Sequence, residues 1–189
     1  MAKNQFSKGV KVVRTDNGAE FKSRPMLQFY SEHGIVHQRS CVDTSQQNGR
    51  VTRKHRHILN VVRALRFQAN LPLSFWGECV FTATHLINRT PNRILDGKTP
   101  HEVLFGHPPT YDHIKVFGSL CFPKIQPKDK FLSRNRRCVF VGYPFGLKGW
   151  KLYDVKTEEL FMSRDVFFLK PYFPLKTPHP KLPLPSGKP

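Results

Sequence analysis

Thirty-five residues stand between Asp16 and Thr52. Asp16 follows a β-branched run, VKVVRT (residues 10–15), and leads into Asn17-Gly18, a pair that favours a turn, so its carboxylate belongs at the C-terminal end of a strand. Thr52 sits in QQNGRVTRKHRHIL, residues 46–59, which begins as a turn and continues as a strongly basic helix. Its neutral hydroxyl occupies the first turn, where a carboxylate would suit the helix dipole. Threonine often starts helices, and the pattern alone favours that role for Thr52. Glu20 and Asp43, the other nearby acids, read as solvent-facing.

The cations of this segment suggest a second kind of chemistry. At 100° per residue, Thr52, Arg56 and Arg63 fall within about 40° of one another, while Arg50, Lys54 and His57 cluster on the opposite flank, with Arg53 between. Such a helix can straddle a phosphate backbone while an apolar stripe holds it to a core. Gln46, Gln47, Asn48 and Gly49 form a polar approach whose amides can donate to phosphate or base edges. The whole chain repeats the bias. Its 189 residues hold 31 Lys plus Arg against 13 Asp plus Glu, a net charge of +18, which makes a polyanion the default partner and nucleic acid the leading one. A basic surface without a specific ligand, a ribosomal role and a membrane-surface role are the alternatives.

Other chemistries find little support. Cys41, Cys79, Cys121 and Cys138 are scattered, with no paired spacing for a tetrahedral zinc site, and read as buried reduced thiols. His55 and His57 would point about 200° apart on a helix, which argues against a shared metal. No apolar run is long enough to span a bilayer, and the N-terminus lacks a signal-like apolar core, so the expectation is a soluble intracellular protein without a membrane or small-molecule partner.

Several elements must position these residues. A strand over 10–15, a short helix over 23–33 and a strand over 35–38 come first. A long helix follows from about Asn48 to Ala69, because Val51, His55, Ile58, Val62, Leu65 and Ala69 recur at core-facing spacing. A second helix follows Leu71-Pro72, with Phe75, Trp76, Cys79, Val80, Ala83, Leu86 and Ile87 on its apolar side. Trp150, like Phe75 and Trp76, is expected to pack inside rather than stack on bases. Thr99-Pro100 reads as an N-cap followed by a helix start. Beyond residue 110, β-branched and aromatic runs over 114–122, 138–143, 151–154 and 160–168 suggest a small antiparallel barrel or sheet. The last nineteen residues hold seven of the sixteen prolines and no acid, which predicts an extended or disordered basic tail.

Taken together, RTDNGAEF, GIVHQRSC, TSQQNGRVTRKHRHIL, LPLSFWGECVFTATHLINRTP, GKTPHEVLFG, KVFGSLCF and CVFVGYPFGLKGWKLYD resemble copia-type LTR-retrotransposon integrase, from about residue 4 to residue 174. The resemblance implies an α/β fold: part of an RNase H-like integrase core over 1–95, a connector over 96–112, an SH3-like β module over 113–172 and a Pro-rich tail over 173–189. It aligns Asp16 with the second acid of a D, D-x35-E triad and Thr52 with the third. The first Asp, its strands and a zinc-binding module would precede Met1.

In the family, two Mg²⁺ ions held by three acids activate the attacking oxygen and stabilise the leaving one during strand transfer. With Thr52 supplying one neutral oxygen, the expectation is a vestigial site at Asp16, no stable Mg²⁺, and a role limited to binding DNA through Gln46, Asn48, Arg50, Arg53, Lys54, Arg56 and Arg63. DNA and other integrase subunits are the implied partners, and the nucleus is a candidate compartment. A non-catalytic regulatory protein and a decaying transposon remnant are the competing readings.

Overall fold

The computed structural model describes residues 9–41, 49–124, 136–169 and 172–175. The chain divides into two compact units, residues 1–57 and 58–189, whose border lies inside one long helix.

The first unit contains β1 (Val12–Thr15), α1 (Arg24–Glu32), β2 (Val36–Arg39) and the first turns of α2 (Gly49–Ala69). β1 and β2 pair in parallel, Val12 opposite Val36 and Thr15 opposite Arg39. Parallel neighbours need a crossover rather than a tight turn, and α1 supplies it. Pro25 is the second residue of α1, in the first turn, where its missing N–H costs no hydrogen bond. Inside the unit, Thr15 and Tyr30 are buried around His37: Thr15 Oγ1 lies 2.8 Å from His37 Nε2, and the Tyr30 and His37 rings are 4.7 Å apart. Parallel strands are ordinarily covered on both faces. Here the paired Val12 and Val36 stay 49% and 56% exposed.

The second unit holds α2 from Ile58 onward, α3 (Trp76–Ile87), α4 (Pro100–Phe105) and five strands: β3 (Leu120–Pro123), β4 (Cys138–Gly142), β5 (Trp150–Asp154), β6 (Leu160–Ser163) and β7 (Val166–Phe168). They form one antiparallel sheet in the order β6-β5-β4-β3-β7. Every residue of β4 is buried, and its period-two alternation serves two cores. Val139 and Val141 join Val62, Ala69, Leu71, Phe75, Cys79 and Ala83 from the helices. Cys138 and Phe140 join Cys121 and Leu152 on the other side, with Trp150, Phe161 and Phe168 packed against them.

Two glycines permit the close approach of helix to sheet. A side chain at Gly118, where φ is +80°, would overlap that of Ala69, and one at Gly142, at φ +137°, would come within 2.8 Å of Thr82 Oγ1. After β7 the chain returns to the same core. Leu120 N donates to Tyr172 O over 2.8 Å, and Asn70 Nδ2 donates to Leu175 O over 2.7 Å. The Pro-rich stretch from residue 176 lies outside the described residues.

Local signals in the sequence are met where their causes are local. Thr99 caps α4, its hydroxyl accepting from Glu102 N at 3.0 Å, with Pro100 as the first helical residue. Several expectations need correction. Cys79, Cys121 and Cys138 are buried as expected, but Cys41 is exposed just past β2. Of the run over 114–122, strand begins only at Leu120. The stripe of α2 is inward at Ile58, Val62, Leu65 and Ala69 only, because the core it meets begins there; Val51 is 62% exposed and His55 is exposed too. Trp76 is 57% exposed, since Phe75 takes the inward place and meets Tyr153 edge-on at 4.8 Å. The run over 160–168 is two strands, broken at Arg164-Asp165 and placed on opposite edges of the sheet.

Candidate nucleic-acid interface

The 21 residues of α2 contain no acid. Arg50, Arg53, Lys54, Arg56 and Arg63 are all exposed, and among the described residues none of the ion pairs involves this helix. Arg63 Nη1 reaches only the amide oxygen of Asn60, at 3.5 Å. Every residue from Arg50 to His57 is exposed. The first two turns therefore present cations around most of their circumference, at a helix end that itself carries partial positive charge. Such a surface suits an anion with regularly spaced charges, which is what a phosphate backbone offers. Thr52 lies exposed within the first turn. Gln46 and Asn48, expected to approach the same anion, lie outside the described residues.

Asp16 follows β1 directly and is exposed. Its placement is fixed locally: Gly18 N donates to Asp16 Oδ1 at 3.2 Å, Thr15 Oγ1 donates to Asp16 O at 2.9 Å, and Asn17 Nδ2 donates across to Ser40 O at 3.0 Å. These bonds tie together the carboxyl ends of two parallel strands, the edge at which open α/β sheets place their ligands. The carboxylate brings one charge to that edge. Among the described residues no group of three or more His, Cys, Asp or Glu could hold a metal ion.

The second unit holds a polar cluster that sequence reading missed. His85 Nε2 lies 3.1 Å from His113 Nε2, Arg89 Nη1 lies 3.2 Å from His85 Nδ1, and the Tyr143 ring stacks on His85 at 4.0 Å. Burial, then the charges of Arg89, His113 and His101, push His85 down to about 4. Burial first, then Arg89, also lowers His101 and His113. No spacing signals this group, because its members come from α3, the segment before β3 and the end of β4. Asp154 is buried beside Arg136. Burial alone would raise its carboxyl, but the amides of Lys156 and Thr157 and the Arg136 guanidinium hold it below the usual carboxylate range. This group anchors the end of β5.

Comparison with known proteins adds ancestry to this geometry. Residues 119–181, which include all five strands of the sheet, match the retroviral polymerase SH3-like domain family. The Retrovirus-related Pol polyprotein from transposon RE1 of Arabidopsis thaliana is 35% identical over 92% of this chain, and that from transposon TNT 1-94 of Nicotiana tabacum is 36% identical over 89%. Over about nine tenths of its length, the chain is similar to a segment of retrotransposon Pol polyproteins. It spans 12% and 13% of the length of those two Pol relatives, so it corresponds to one segment of a much longer Pol product. A chain of the simian T-cell lymphotropic virus intasome in complex with PP2A regulatory subunit B56 gamma shows a fainter likeness. Its TM-score is 0.45 at 16% identity, over 87% of this chain and 59% of that one, which is too distant to bear on the Pol segment's function.

Proposed function

We propose that this chain is an integrase-region segment that binds duplex DNA through the acid-free N-terminal half of α2 and does not itself catalyse strand transfer. The observation that carries the reading is the run of exposed Arg50, Arg53, Lys54 and Arg56 without a carboxylate in the helix. The parallel β1-α1-β2 unit, with Asp16 at the end of β1, supports its derivation from an RNase H-like core. Asp16 and Thr52 offer one carboxylate between them, and a two-metal centre needs several, so this donor set does not fit a pair of Mg²⁺ ions. Binding rather than chemistry is what these residues support, and a nuclear site of action follows from a DNA partner.

Titrating a labelled duplex with the whole chain across a range of salt tests this. Log Kd should change by roughly 0.9 per phosphate contacted for each log unit of salt, and the combined Arg53→Ala, Lys54→Ala and Arg56→Ala variant should lower that slope by two to three contacts. A flat salt profile, or a slope unchanged in the variant, overturns the reading. Mg²⁺-dependent nicking that Asp16→Ala abolishes overturns the non-catalytic half.

A second reading has its own observation. Val12 and Val36 lie side by side on a two-stranded parallel sheet and remain about half exposed. Strands of this kind gain most when further chain covers them, which favours assembly with another integrase subunit.

A further inference from the structure

The loop from β4 to β5, residues 143–149, reads YPFGLKG and carries Phe145 at 85% exposure and Leu147 at 60%. Its two ends are held firmly. Tyr143 stacks on His85 at 4.0 Å with an interplanar angle of 15°, and its hydroxyl accepts from Lys115 N at 3.2 Å. On the far side Trp150 Nε1 donates to His113 O at 3.1 Å while its ring meets Phe168 edge-on at 5.2 Å. A rigid stem thus presents a planar apolar side chain to solvent, where it contributes nothing to either core. Lys148, exposed, follows three residues on in the same loop, and no acid occurs from Tyr143 to Tyr153. Asp154, the next one, is buried against Arg136.

We propose that this loop is a second nucleic-acid site, separate from α2, at which Phe145 stacks on an unpaired base and Lys148 meets an adjacent phosphate. Charge selects the partner class. A loop with a cation and no acid, on a chain of net charge +18, complements a polyanion rather than a protein groove of mixed charge. The choice of single strand over duplex follows from magnitudes. One aromatic stack strengthens binding by about 5- to 160-fold per base, and in an intact duplex the cost of unstacking a step cancels a gain of that size. A base already unpaired exposes its face without that cost.

Binding of the whole chain to a short labelled oligothymidylate and to a duplex of equal length, read by fluorescence anisotropy, tests the proposal. Phe145→Ala should weaken oligothymidylate binding about tenfold and leave the duplex within about twofold, and Phe145→Trp should restore the single-strand affinity. Lys148→Ala should reduce the single-strand salt slope by about 0.7. Since Phe145 is outside both cores, the thermal midpoint should stay unchanged in these variants. Oligothymidylate affinity unaltered by Phe145→Ala, or lowered equally with duplex affinity, overturns the proposal. So does a Phe145→Ala effect confined to self-association in sedimentation, which would mark the tip as a protein anchor. Failure here leaves the α2 reading standing, because that reading is judged on the duplex and on Arg53, Lys54 and Arg56.

Discussion

The Nε2 atoms of His85 and His113 lie 3.1 Å apart, and one proton serves both. Arg89 can only donate, so its approach to His85 Nδ1 places the His85 proton on Nε2, and that N–H donates a hydrogen bond to His113 Nε2. His113 then carries its own proton on Nδ1. A second proton on His85 would break the bond from Arg89 and set a cation against a guanidinium.

The pair therefore makes the second unit sensitive to acid. The folded His85 value, about 4, lies below the ordinary 6.5, so the unfolded chain binds the proton first as pH falls. Its contribution is fully present above pH 6.5 and is lost between there and pH 4, by roughly 2 kcal/mol once solvent screening of a partly buried group is allowed for. His85→Phe keeps a ring against Tyr143 and removes the titration. Thermal midpoints measured at intervals across this range should fall less steeply for the variant than for the parent; equal slopes would remove His85 from the account.

Gly118→Ala, in the turn that leads into β3, should be among the most damaging single changes in the second unit. The added methyl would overlap Ala69 and must also sit at φ +80°. Overpacking and left-handed strain together should cost about 3 kcal/mol. A denaturant midpoint within error of the parent's would show that α2 can back away from the sheet, contrary to the packing described.

Thr52→Glu should move stability and binding in opposite directions. A carboxylate in the first turn of α2 should stabilise the helix by about 0.3 to 1 kcal/mol through its dipole. The same charge, among Arg50, Arg53, Lys54 and Arg56, should weaken duplex DNA binding several-fold at low salt. Tighter DNA binding by the variant in the absence of metal would count against the α2 interface.

What the sequence made legible depended on how local the cause was. The cap at Thr99 and the turn after Asp16 rest on side chains bonding to backbone a few residues away, and both stand where expected. The period of α2 identified the inward face at Ile58, Val62, Leu65 and Ala69 but extended it to Val51 and His55. Periodicity tells which face a helix would bury; it does not tell whether anything is there to receive it. Trp76 and Phe75 show the same limit at finer grain, since two adjacent aromatics cannot both point inward. The His85 group and the exposed tip at Phe145 were hidden because they arise from segments brought together only by the fold.

β4 has a consequence for how this segment can be passed between larger proteins. With Val139 and Val141 turned towards the helices and Phe140 towards the opposite core, one strand is the common wall of two interiors. A shuffled copy cut at residue 119, where the family match begins, would carry the wall away from the residues that line one of its sides. The compact unit is larger than the SH3-like match: it starts within α2, and a graft that respects this boundary is the one that should keep both interiors closed.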